Sequence, residues 1–188
     1  MIKIGITGSI SSGKTTASKF ISNKKGPLFS ADHIVKKLYK SPNFRKIISR
    51  KLHLPLNLKF KKLLKRSILK DKENVKKLEK IIHPIVRSEM LAFSKKNKTK
   101  KFIFFEVPLL VENNLNRYFD KVIFIKAKKN LRLKRFLAKK GNKKIFDLLD
   151  SMQIKDIYKS KLCDYIVVNN KSLFNLKKNL LRIKKKYD

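Results

Sequence analysis

The chain is poor in acids. Only 13 aspartates and glutamates stand against 50 lysines and arginines, a formal net charge of +37. That balance disfavours cationic ligands and favours polyanionic ones. Tryptophan is absent and glycine is held to 5 residues. Lysine, isoleucine, asparagine and phenylalanine are abundant instead, as codon bias in an AT-rich genome would produce. The lysines are scattered along the whole chain. This speaks for compositional drift over a nucleic-acid footprint, so nucleic acid is not an expected partner. A single cysteine, Cys163, excludes an internal disulfide and fits a reducing compartment. No apolar stretch reaches the roughly 18 residues of a membrane span. The opening "MIKIGITG" runs into glycine rather than a cleavage site. A cytoplasmic protein without a membrane partner is expected, as a monomer or weak homo-oligomer.

What is present suffices for a core: 42% of the 188 residues are hydrophobic, enough for one compact unit with small insertions. "IKIGIT" (2–7), "GPLFSAD" (26–32), "KFIFFE" (101–106), "KVIFIKA" (121–127) and "DYIVVNN" (164–170) carry short apolar runs without helical period. They read as five strands of a parallel sheet covered on both faces. Between them the pattern is helical. Asp71 is placed to cap a helix with Val75, Leu78, Ile81 and Ile82 on one face. Pro84 suits the first turn of a further helix over 84–96. Ser172 can cap a last helix with Leu173, Leu176, Leu180 and Ile183 on one stripe. The helical stretches 33–97 and 129–162 exceed what simple crossovers need. They are candidates for a substrate-holding insertion and a mobile lid. The lysine clusters at 59–65, 95–101 and 184–186 read as solvated faces.

The sharpest motif is "GSISSGKTT" (8–16). Gly8-x-x-x-x-Gly13-Lys14-Thr15 lies between a strand and a helix, the context a phosphate-binding loop requires. Backbone N–H groups of such a loop hold phosphate oxygens, aided by the positive end of the helix. Lys14 would neutralise the β and γ phosphates, and the Thr15 hydroxyl would ligate Mg²⁺. The loop does not name a reaction. No Asn-Lys-x-Asp follows a strand, so guanine recognition has no support. "FIFFE" ends in Glu106, as strands of motor and strand-separating ATPases end in an acid. Asp32, at the end of the second strand, could take the proton of an acceptor hydroxyl or merely cap the next helix. Arg135, and more weakly Arg132, could close over a transferring phosphoryl group from the lid, or could be solvated cations.

Together these pieces resemble the dephospho-coenzyme A kinase family. The resemblance runs nearly end to end through "GITGSISSGKTT", "SADHI", "IIHPIVR", "VPLLVENNL", "LRLKR", Gln153 and "CDYIVVNN". It implies a P-loop three-layer α/β/α fold with a five-stranded parallel sheet, a helical substrate-side insertion and a helical lid. It implies a core of 1–35, 98–128 and 161–188, an insertion of 36–97 and a lid of 129–160. The implied reaction is ATP-dependent phosphorylation of the ribose 3′-hydroxyl of dephospho-CoA, with Mg²⁺ accompanying ATP. Asp32, Lys14 and Arg135 would be catalytic. Gly8, Ser11, Ser12, Gly13, Lys14, Thr15, Thr16, Asn169 and Asn170 would hold ATP. Asp32, His83, Arg87, Pro108, Leu109, Leu110 and Glu112 would face the acceptor.

The sequence also departs from the family pattern. Ser9 and Ser11 replace loop glycines, and serine fits only where positive φ is not required. Ser30 replaces the first acid of an Asp-Ala-Asp. Lys139 or Lys140 stands for a second lid arginine, keeping charge but losing the bidentate fork. The glycine-bearing segment usually found between 50 and 62 is reduced. A kinase of another nucleoside or nucleotide, or a basic nucleic-acid-binding P-loop ATPase, are the competing readings.

Overall fold

A computed structural model describes residues 1–185. Residues 186–188, assigned above to the core domain and in part to the last lysine cluster, lie outside the described residues. The expected strands form as β1 (Ile2–Gly8), β2 (Leu28–Ser30), β3 (Phe102–Glu106), β4 (Lys121–Lys126) and β5 (Tyr165–Val168). They pair in parallel in the order β2-β3-β1-β4-β5. All five residues of β3 are buried, as are Val122–Ile125 of β4. Strands covered on both faces need apolar side chains at every position, which explains the unbroken apolar runs. Edge strand β5 instead alternates, with Ile166 and Val168 exposed and Val167 buried.

On one face, α1 (Lys14–Ser22) and α9 (Leu173–Lys184) bury Ala17, Ile21, Leu176, Leu180 and Ile183 against Ile4, Ile6, Ile123 and Ile125. Ser172 caps α9 by accepting the Asn175 N–H at 3.4 Å. Leu173 opens that helix at its exposed first position and stays outside the buried stripe expected of it. On β1's other side Gly5 admits close neighbours. A Cβ there would lie 2.7 Å from Leu110 Cδ1. Three helices occupy the stretch read as helical after β4: α6 (Lys129–Ala138), α7 (Lys143–Ser151) and α8 (Asp156–Lys161). Because every strand runs the same way, Gly8, Ser30, Glu106, Lys126 and Val168 end at one edge of the sheet. Ligands of open α/β sheets collect there.

The chain divides into two units, Met1–Ser30 with Lys96–Asp188, and Ala31–Lys95. The second is wholly helical, with α2 (Ala31–Lys40), α3 (Pro42–Leu52), α4 (Phe60–Lys70) and α5 (Lys72–Lys96). It has its own core of Phe44, Ile48, Leu52, Phe60, Leu64 and Leu78. Ser41 and Pro42 start α3 in the usual order of cap and first helical residue. Asp71 caps α5, its carboxylate accepting the Glu73 N–H at 2.9 Å. The expected second helix from Pro84 does not form separately; Pro84 lies inside α5. The proline forfeits one backbone bond. The buried stripe nevertheless continues across it through Val75, Leu78, Val86 and Met90, which holds both halves in one rod. Among the described residues, no helix is long and apolar enough to cross a membrane.

Ile123 is fully buried at the middle of the sheet. Its truncation in Ile123→Ala is expected to lower the unfolding free energy by about 2–5 kcal/mol. Denaturant titration checks this, and a loss below about 1 kcal/mol would contradict so tightly packed a position.

Candidate phosphate-binding site

The loop between β1 and α1 is shaped by its two glycines. A Cβ at Gly8 would sit 2.4 Å from the Ile125 carbonyl oxygen, an immovable backbone atom. Gly13 adopts φ 100°, and a Cβ there would meet the Asn169 amide nitrogen at 2.4 Å. Gly13 is also the residue before α1 and offers no side chain to cap it. The first N–H groups of α1 therefore have no side-chain cap, and no acid occupies the first turn. This leaves the positive end of the helix available to an anion.

Two of the loop's carbonyls, those of Ser9 and Ser12, are each engaged by two donors. The Ser9 carbonyl accepts from Lys14 Nζ at 3.2 Å and from the Ser12 N–H at 3.1 Å. The Ser12 carbonyl accepts from the Asn169 side chain at 2.8 Å and from Arg135 at 3.5 Å. Arg135 also donates to the Asn169 carbonyl at 3.0 Å. Thus Lys14, Arg135 and Asn169 gather around one loop, although 34 residues separate Arg135 from Asn169. Lys14 is buried despite its charge. The Ser12 hydroxyl is buried with no protein partner, as a group that meets a ligand oxygen would be. Asn170 serves the neighbouring turn, its side chain accepting the Lys128 N–H at 2.8 Å. Thr16 is exposed on the first turn of α1.

Ser9 and Ser11 fare differently. Ser9 is not at positive φ, and its buried hydroxyl donates to Asp156 at 2.5 Å. Ser11 does take a left-handed conformation, φ 56°. Serine there carries strain that glycine would not.

Glu106 was legible only as an acid ending a strand, and the structure makes it the centre of a cluster. It is 1% exposed. One carboxylate oxygen accepts from the Thr15 hydroxyl at 2.5 Å, the other from the Ser30 hydroxyl at 3.0 Å. Among the described residues no group of three or more His, Cys, Asp and Glu could hold a metal ion. Thr15 and Glu106 are nonetheless hard oxygen donors side by side. A divalent cation sharing them would complete its shell with oxygens of a ligand and water.

Beside the loop a cleft of about 550 Å³ is lined by Ser9, Arg132, Asp150, Gln153, Asp156 and Asn170, among others. Arg132 is buried; it bonds Asp150 at 2.6 Å and the Ala127 carbonyl at 3.1 Å, and it lies over the Phe146 ring. Burial pushes the Asp150 carboxyl up, but hydrogen bonds from Arg132 and Lys129 outweigh this and hold it below the ordinary range. The segment after β3 is anchored by the Thr7 hydroxyl, which donates to the Pro108 carbonyl at 3.0 Å. Leu110 is fully buried and Leu109 half-buried. The Glu112 carboxylate turns to Lys159, 2.5 Å away. Cys163 is unsuited to nucleophilic work near neutral pH, because burial pushes its thiol up to about 11.

In the helical unit, Asp32 does not end the strand as expected. It lies in the exposed first turn of α2, two residues past Ser30, and is not that helix's cap. His83 and Arg87 are one turn apart on α5. Burial, then the Arg87 charge, lowers the His83 pKa from 6.5.

Ser11→Gly removes about 1 kcal/mol of backbone strain, offset in part by unfolded-chain entropy. A small rise in melting temperature is expected, whereas β-branched Ser11→Val should lower it; the opposite order would contradict the left-handed assignment. For His83, the unfolded chain binds a proton that the folded imidazole resists. Stability is therefore full above about pH 6.5 and falls as pH drops through the lower folded value. His83→Gln should flatten that decline in denaturation curves between pH 7 and 5, about the range over which histidine titrates; an unchanged slope would contradict it.

The family model for dephospho-CoA kinase matches residues 2–175. A dephospho-CoA kinase of Rickettsia typhi is 30% identical, covering 97% of this chain and 96% of its own. One from Fusobacterium nucleatum is 31% identical, with 95% of each chain covered. The solved dephospho-CoA kinase of Campylobacter jejuni superposes with TM-score 0.65 at 28% identity, over 98% of this chain and 96% of that one.

Proposed function

The chain belongs to the dephospho-CoA kinase family, and we propose that it transfers the γ-phosphoryl group of ATP to the ribose 3′-hydroxyl of dephospho-CoA. The products are coenzyme A and ADP, in the last step of coenzyme A synthesis. The observation that carries this reading is the loop 8–15. The Ser9 and Ser12 carbonyls are engaged by Lys14 and Asn169, the helix end is uncapped, and Thr15 meets the Glu106 carboxylate. That combination suits a triphosphate with a divalent cation.

Gly8, Ser11, Ser12, Gly13, Lys14, Thr15 and Thr16 would hold the phosphates, with Asn169 and Asn170 beside the adenine. Thr15 and Glu106 would hold Mg²⁺, which when bound neutralises charge on the β and γ oxygens. Lys14 stabilises the charge that moves onto the leaving oxygen. Arg135, already bonded to the Ser12 carbonyl, is within the same network and would follow the transferred group. Asp32 orients the ribose hydroxyl and accepts its proton as the new P–O bond forms. His83, Arg87, Pro108, Leu109 and Leu110 would face the acceptor, while the Glu112 carboxylate turns to Lys159. The stretch 129–160 is the lid, 36–97 the acceptor-side insertion. We take the enzyme to be cytoplasmic, and monomeric or weakly associated.

Incubation with Mg·ATP and dephospho-CoA should yield coenzyme A and ADP in equal amounts. Asp32→Asn should lower kcat by about 10²–10⁴-fold with ATP binding retained, and Lys14→Ala should abolish turnover. ATP binding with no coenzyme A formed would sink the reading. Activity on other acceptors alone, or hydrolysis driven by nucleic acid, would replace it with one of its competitors.

A further inference from the structure

A buried ion pair joins α8 to the segment after β3. Lys159, on the short helix α8, is fully buried and lies 2.5 Å from Glu112, which follows β3. The Glu112 oxygen that meets Lys159 also accepts the Ile154 N–H at 3.3 Å. Its other oxygen is buried without a hydrogen-bond partner. Lys159 Nζ lies 6.0 Å from the centre of the Phe124 ring, which closes it off within the sheet's packing. Burying two charges is costly, and an apolar pair of similar volume often serves stability as well. The placement of the pair is therefore the informative feature.

Segment 153–159 is held at both ends. Glu112 grips it through Ile154 and Lys159. At the phosphate loop, Gln153 accepts the Ile10 N–H at 2.9 Å and Asp156 accepts the Ser9 hydroxyl at 2.5 Å. Asp156 and Lys159 are three residues apart on α8, so the position of one fixes that of the other. The Ile10 N–H is thereby tied to Gln153, which fixes the peptide plane between Ser9 and Ile10. Ser9 needs such a partner, since its hydroxyl sits in a buried position.

We propose that Glu112 and Lys159 are positioning residues for the phosphate loop. They hold α8 so that Gln153 and Asp156 set the loop in its ATP-binding form. Glu112 then acts through the nucleotide side of the reaction and not by contact with the acceptor. This rests on reading the loop as an ATP site. Its test measures nucleotide binding directly, so a failure to form coenzyme A is a separate result.

The test is calorimetric titration of the full chain with a non-hydrolysable ATP analogue and Mg²⁺, and separately with dephospho-CoA. Glu112→Leu with Lys159→Met removes both charges together and leaves no lone buried ion. This variant and Asp156→Ala should each weaken the analogue about tenfold. Combining all three should weaken it by less than the product of the two effects, because they act through one segment. Dephospho-CoA affinity should stay within about twofold of the parent in this scheme. A folded pair variant that binds the analogue as the parent does overturns the proposal. So do effects that multiply in full, or a loss confined to dephospho-CoA. If the pair variant does not fold, Glu112→Asp keeps both charges and draws the carboxylate back by one methylene. It should weaken the analogue about threefold or more; a smaller change overturns the proposal.

Discussion

The site depends on one arrangement: the carbonyls of Ser9 and Ser12 are taken up by donors that keep them occupied. A phosphate can be received by backbone N–H groups only if the intervening carbonyl dipoles are turned away. No residue within the loop can do this alone. Lys14 holds the Ser9 carbonyl, while Asn169 and Arg135 share the Ser12 carbonyl. The sheet order makes this possible. β4 pairs with both β1 and β5, so the exit of β5 and the helix after β4 arrive beside the loop. The close approach of Asn169 in turn demands glycine at 13.

Glu106 settles the loss of the first acid in the Asp-Ala-Asp pattern. Ser30 and Glu106 are register partners on β2 and β3, and the serine hydroxyl donates to the carboxylate. An aspartate at 30 would set two carboxylates beside each other, like charges that repel. With serine, Thr15 and Ser30 both donate to the Glu106 carboxylate. The carboxylate beside Thr15 is thus supplied from β3.

Much of this was legible in the chain. Five apolar runs without helical period became the five strands, because burial on both faces leaves no polar position to give a period. The loop was legible because its glycines answer to local geometry, as at Gly13 with φ 100°. The helix break expected at Pro84 was not, because the proline's local cost is overridden by an apolar stripe that tertiary packing rewards on both sides. Asp156 had no local signal at all. Its meaning lies in Ser9, 147 residues away, and only the fold brings them together. Ser9 and Ser11 looked alike as replacements for glycine, yet one lies outside the positive-φ region and the other within it.

The scarcity of acids gives the remaining ones weight. Asp120 accepts the Lys3 N–H at the start of β1, and Asp164 accepts the Val122 N–H while pairing with Lys121 at the start of β4. Asp150 ties α6 to α7 through Arg132. Glu106, Glu112 and Asp156 all serve the phosphate loop or its support. Several of the acids thus sit at joints of the architecture, and the net +37 has no counter-charge within the chain. Such an excess strains the compact state through self-repulsion, which salt screens over about 10 Å. Binding a polyanion at the sheet's edge lowers that repulsion in the folded state more than in the expanded one. Ligand binding and stability are linked for any protein; here the charge makes the link stronger, and it falls with ionic strength.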